Sequence, residues 1–353
     1  TGNYCRGGAF NSALLGCQSI AILPEGMSRE RFEWLSKIAG EVITTPGSES
    51  NVKEIFDKCH ELSRDRGDDI VIFNQFEEFG NYLWHYTVTG AAITRVLQKE
   101  LGSGGRMAGF VSSTGSAGTI AAGDALKQAF PECRIGAAEA LQCPTLLGNG
   151  FGAHRIEGIG DKHVPWIHNV KNTDAVIAVD DNDCMALLRL FNENAGRAYL
   201  AERGIPQSFI EQLPLLGISG IANVLGAVKM ARYYELGEKD VVITILTDSM
   251  ELYGSRVKEM TAQGGELDRG GAIALFHQSL AGQRADNFLE LTYPERKRIH
   301  NLKYYTWVEQ QGKAIEELNA QWSDASYWTS IQGQAGRIDQ LIEEFNAEAG
   351  TAG

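Results

Sequence analysis

From residue 18 to about 247, short apolar runs rich in β-branched residues alternate with longer segments whose apolar positions recur at helical spacing. That alternation predicts a parallel α/β sheet. Strands are expected at residues 19–23, 41–45, 70–73, 107–112, 134–139, 175–179 and 241–246. Between them, Ser28 is placed to cap a helix over 29–39 that Gly40 stops, and Asp181 to cap a helix running to about 194. Past about residue 262 the strand pattern ends and amphipathic helices follow, clearest at 310–318 and 338–347. This tail carries Tyr304, Tyr305, Trp307, Trp322, Tyr327 and Trp328, which are expected to pack it onto the main body or a second subunit; a lid over an active site is the alternative.

Composition narrows the class. The 353 residues, 43% hydrophobic and 22% charged, are enough for about two domains with sizeable cores. A formal net charge of -13 repels nucleic acid and anionic membrane surfaces, so neither is expected as a partner. No apolar run approaches the roughly 20 residues of a membrane span, and no basic and apolar leader opens the sequence. The six cysteines are scattered without a Cys-x-x-Cys pair, and the seven histidines lack His-x-x-x-His spacing. Reduced thiols, a cytoplasmic location and no metal site are expected. Glycine, at 40 residues against 8 prolines, clusters directly after apolar runs, where loops must approach a ligand closely.

The segment 107–119, Met-Ala-Gly-Phe-Val-Ser-Ser-Thr-Gly-Ser-Ala-Gly-Thr, leads into a helical stretch over 120–130. A strand that feeds a Gly/Ser/Thr loop opening a helix turns backbone N–H groups and the positive end of the helix dipole toward one point, which suits phosphate. A dinucleotide turn would want G-x-G-x-x-G, and Gly115-Ser116-Ala117-Gly118 has another spacing.

Other segments fall in a telling order. Thr1-Gly2-Asn3 is followed by Gly7-Gly8 and, after a helical stretch and a strand, by Pro24-Glu25-Gly26-Met27-Ser28-Arg29-Glu30-Arg31. Then come Asn74-Gln75-Phe76, the segment His154-Arg155-Ile156-Glu157-Gly158-Ile159-Gly160 with Pro165, Gly217-Ile218-Ser219-Gly220 opening a helix, and residues 241–253. Together these resemble the asparagine loop, "MPExMSxER", "QF", "HKIQGIG…P", "GISSG" and last core strand with "LPSSGERY" of fold type II pyridoxal-phosphate enzymes, closest to the cysteine synthase and cystathionine β-synthase branch. The resemblance spans about 250 residues and implies a tryptophan synthase β-like fold with two α/β domains. These would be a small domain over 1–89 and a large cofactor-binding domain over 90–263, with a helical extension over 264–353. It also implies pyridoxal 5'-phosphate as cofactor, a small amino-acid substrate with a leaving group at Cβ, elimination or replacement chemistry, and a homodimer.

Carried over residue by residue, the resemblance assigns the cofactor phosphate to Gly115, Ser116, Ala117, Gly118 and Thr119, the pyridoxal 3′-oxygen to Asn3 and the pyridine nitrogen to Ser219. A neutral hydroxyl at that nitrogen favours chemistry at Cβ over transamination. Taken alone, Ser219 is equally an N-cap and Asn3 a turn residue. Thr1, Gly2, Tyr4, Arg6 and Gln75 fall at substrate-binding positions. The family loop usually reads Thr-Ser-Gly-Asn-Thr-Gly, whereas Tyr4, Cys5 and Arg6 follow Asn3 here, so an unusual substrate is expected. Arg6 would meet a second acidic group on it, or be locally paired. Asp248 stands where "PSSGE" has a small residue; it bonds the pyridine side of the pocket or caps the next helix.

In the family the Schiff-base lysine precedes the asparagine loop, so it is expected outside this chain; Lys37, Lys127 and Lys229 are not nominated in its place. A catalytically silent homologue or binding protein is the first alternative. The second is a nucleotide-dependent oxidoreductase with Glu139 as ribose partner.

Overall fold

The computed structural model describes residues 2–350. Strands β1 (Ile20–Pro24) and β2 (Glu41–Thr45) pair in parallel as a small separate sheet flanked by the helices Gly2–Leu14 and Arg29–Ile38. The main sheet contains β3 (Arg106–Ser113), β4 (Arg134–Ala140), β5 (Ala175–Val179), β6 (Asp240–Thr244) and β7 (Phe288–Glu290), in the order β6-β3-β4-β5-β7. All its pairings are parallel except that of β7. Every residue of β5, Ala-Val-Ile-Ala-Val, is buried, as a strand covered on both faces requires.

Alternation along β3 divides its neighbours. Phe110 joins Leu126 of the helix Ala121–Ala129, while Val111 joins Met230 of the helix Ile218–Tyr233 on the opposite face. Met230 settles over β3 and β4 because Gly109 and Gly136 lack side chains there; a Cβ would lie 2.3 Å from its sulfur at Gly109 and 2.7 Å from its methyl at Gly136.

Most expected strands are present within a residue or two, and several expectations are corrected. Residues 70–73 form no strand, and Val71 and Phe73 are exposed. The tail is not purely helical, because β7 adds an antiparallel edge to β5. Asp180, not Asp181, caps the helix Asp181–Asn192 by accepting from Asn182 N–H. The Ser28 hydroxyl caps nothing; its backbone N–H donates to Glu157. The helix expected at 310–318 is split into a π-helical turn, Tyr304–Gln310, and the helix Ile315–Ser323, while 338–347 falls within Ala335–Glu348.

The tail is bolted to the body by buried polar contacts. Trp307 Nε1 donates to Val164 O at 2.8 Å. The fully buried Lys303 donates to Trp166 O, His168 O and Gln321 Oε1 at 2.8, 2.8 and 2.7 Å. No single helix among the described residues is long and apolar enough to cross a membrane.

Candidate functional site

The main sheet changes direction of winding between β3 and β6, the switch point at which open α/β sheets receive ligands beyond the strand C-termini. A cavity of about 170 Å³ opens there, walled by residues following β3 and β6. Gly115, Ser116, Ala117 and Thr119 form one wall, and their backbone N–H groups donate to no acceptor among the described residues. Ala117 has φ 61°, a left-handed conformation that costs an L-residue roughly 1–2 kcal/mol. Unpaired donors, a strained turn and the N-terminus of Ala121–Ala129 together make a cradle for an anion.

Side chains behind the loop hold it. Asn81 Nδ2 donates to Gln75 O at 2.9 Å and Ser116 Oγ at 3.0 Å. Asn223 Oδ1 accepts from Ser113 N and Ser113 Oγ at 2.8 and 2.7 Å, and its Nδ2 reaches Ile245 O at 2.7 Å, tying the ends of β3 and β6 together. Ser219 is buried and 2.7 Å from Thr247 Oγ1; Gly217 occupies the N-cap position, so Ser219 is not the cap.

The structure brings Asn3, Tyr4, Gln75, Ser219 and the loop residues other than Gly118 to this one cavity. Gly118 stands behind it: a Cβ there would lie 2.2 Å from Asn81 Oδ1. Gly2, Arg6 and Asp248 do not line it, and Thr1 lies outside the described residues. Gly2 packs against Arg31, 2.6 Å from where its Cβ would be. The Arg6 guanidinium sits 4.7 Å over the Trp34 ring. Asp248 caps no helix; its Oδ2 accepts from Asn3 Nδ2, Arg31 Nη2 and Tyr253 OH at 2.9, 3.1 and 2.7 Å. Arg31 Nη1 donates to Asn3 Oδ1 at 2.8 Å.

His85, Ser113, Asn223 and Thr247 also line the wall, although none was among the site residues expected from the sequence. His85 opens a π-helical turn, His85–Thr89, with Nδ1 2.9 Å from Thr89 Oγ1. Burial pushes its pKa down to about 4, so the ring is neutral at pH 7. No lysine among the described residues lines the cavity: Lys127 is paired with Asp174, Lys229 with Asp286, and Lys37 is exposed. Glu139 is unavailable to a ribose, since it is 2% exposed and its two oxygens accept from Leu146 N and Leu147 N.

The sequence model of a family described as "Pyridoxal-phosphate dependent enzyme" matches residues 1–200. A cysteine synthase of Staphylococcus aureus is 30% identical over 254 residues, covering 72% of this chain and 73% of its own. A probable cysteine synthase of Bacillus subtilis is 30% identical over 254 residues, 72% of this chain and 74% of its own. Among solved structures, a hydrogen sulfide-producing enzyme of Fusobacterium nucleatum superposes with a TM-score of 0.60 at 25% identity, covering 71% of this chain and 77% of its own. An O-acetylserine-dependent cystathionine β-synthase of Helicobacter pylori gives 0.58 at 25% identity, covering 72% and 74%.

Proposed function

This chain belongs to the pyridoxal-phosphate-dependent enzyme family, with pyridoxal 5'-phosphate as its cofactor, and on that premise we propose that it catalyses β-elimination or β-replacement on an amino acid carrying a leaving group at Cβ. The observation that carries this reading is the meeting, in one cavity, of four unpaired backbone donors, the Asn3 amide and the Ser219 hydroxyl. These residues fit the group. The N–H groups of Gly115, Ser116, Ala117 and Thr119 would hold its phosphate, Asn3 its 3′-oxygen and Ser219 its pyridine nitrogen.

When bound, the cofactor withdraws electrons from the substrate Cα, which acidifies the Cα–H bond and drives departure of the Cβ substituent. The chain's own residues set the conditions for that. Ser219, a neutral hydroxyl partnered by Thr247, leaves the ring nitrogen without a proton donor strong enough to charge it. Gln75 and Tyr4 are placed on the wall to receive the amino acid, and the neutral His85 adds a proton acceptor beside them.

A homodimer in the cytoplasm is part of the same proposal. Trp84, Val88 and Val96 lie on the helical run from Phe79 to Glu100 and are 61%, 44% and 54% exposed, apolar surface suited to a second copy. All six thiols are free, as in a reducing compartment.

Incubation with O-acetyl-L-serine tests the reaction. Release of acetate with pyruvate and ammonia is the elimination outcome, and acetate with a new thiol amino acid in the presence of sulfide is replacement. In protein expressed from its full gene, binding of the cofactor without acetate release from this or other β-substituted amino acids would rule the reading out.

A further inference from the structure

We propose that Arg31 and Asp248 are positioning residues that fix which end of the Asn3 amide faces the cavity, a role that rests on the cavity being the pyridoxal 5'-phosphate site. A carboxamide has two ends of nearly equal size, one accepting and one donating. A guanidinium can only donate and an ionised carboxylate can only accept. Arg31 Nη1 lies 2.8 Å from Asn3 Oδ1, and Asp248 Oδ2 lies 2.9 Å from Asn3 Nδ2. Turning the amide over would face donor to donor and acceptor to acceptor. One N–H of Nδ2 is taken by Asp248, and Asn3 lines the cavity, so the amide has a single fixed N–H left for an anionic oxygen on a bound ring.

The clamp is itself immobilised. Arg31 is fully buried; its Nε donates to Glu157 Oε2 at 2.9 Å and its Nη2 to Tyr253 OH at 2.6 Å. Glu157 Oε2 also accepts from Ser28 N at 3.1 Å, and its Oε1 accepts from Arg256 Nε at 2.8 Å. Gly2, next to Asn3, has no Cβ to push the guanidinium away. Arg31 is ion-paired with both Glu157 and Asp248, and Glu157 is paired in turn with Arg256, so neither buried carboxylate lacks a cation. Neither Arg31 nor Asp248 touches the cavity, so any influence on a bound ring passes through Asn3.

The test is a spectroscopic titration of the full chain with pyridoxal 5'-phosphate, reading affinity and the position of the visible band for the unsubstituted protein, Arg31→Lys, Asn3→Ala and the double variant. Lysine keeps the charge but not the fork. Arg31→Lys is expected to weaken binding about tenfold and shift the band when Asn3 is present, and to do neither in the Asn3→Ala background. Equal effects in both backgrounds would overturn the proposal while leaving the functional reading intact. Failure of the unsubstituted protein to bind pyridoxal 5'-phosphate would overturn both. Should Arg31→Lys not fold, Asp248→Asn in the same two backgrounds decides, since an amide at 248 can donate and so permits Asn3 to turn over.

Discussion

Gly118 illustrates how little room the loop has at the scale of one residue. An added Cβ would collide with Asn81, whose amide nitrogen ties the Gln75 carbonyl to the Ser116 hydroxyl. Gly118→Ala is therefore expected to weaken pyridoxal 5'-phosphate binding at least about tenfold with the far-UV circular dichroism unchanged. Unchanged affinity in a spectroscopic titration would mean that this loop does not hold the phosphate. The loop residues were legible because strand, glycine and hydroxyl, and helix follow one another directly. Asn223 left a readable signal: it stands one helical turn beyond Ser219 in an otherwise apolar run, so the two share a face. His85 left none, because a π-helical turn breaks the spacing by which its face would be read. The expected substrate loop is instead the first turn of the helix Gly2–Leu14. Successive side chains on a helix turn by about 100°, so Asn3 and Tyr4 reach the cavity while Gly2 and Arg6 face elsewhere.

The C-terminal elements are attached through groups that acid will charge. His168 and His300 are 1% and 3% exposed, and burial, reinforced by the neighbouring Lys303, pushes the pKa of each down to about 3. Both stay neutral in the folded protein where an unfolded histidine, with a pKa near 6.5, takes a proton. The unfolded state then binds more protons, so stability falls as pH drops from about 6.5 toward 3, by about 2 kcal/mol per histidine at pH 5. Urea unfolding at pH 7.5 and 5 is expected to reveal this loss, and a double variant with glutamine at both positions should lose less between the same pH values. An equal loss would mean that the histidines are not the acid-sensitive groups. The sequence predicted a packed aromatic tail correctly in kind but not its joints. β7 spans only Phe288–Glu290, too short for a period, and residues 70–73 carry a strand-like composition without a partner to pair with.

Across the whole molecule, the switch point of the sheet places the cavity, and the ion-paired cluster around Arg31 links it to the small sheet. The last helix, Ala335–Glu348, has no buried residue and leaves Leu341, Ile342 and Phe345 exposed. Truncation after Gln334 is expected to keep Tm within about 2 °C, because so little apolar surface is buried there. A larger drop would mean that this helix is covered by something in solution, a second copy first among the possibilities to weigh by light scattering. The central claim is that the cavity holds pyridoxal 5'-phosphate for chemistry at Cβ. Its most direct test is the visible spectrum of the purified protein with pyridoxal 5'-phosphate, before and after addition of O-acetyl-L-serine. The expected result is a visible band from bound cofactor that changes on addition and returns as acetate is released. A band that no β-substituted amino acid alters, or no band at all, would contradict it.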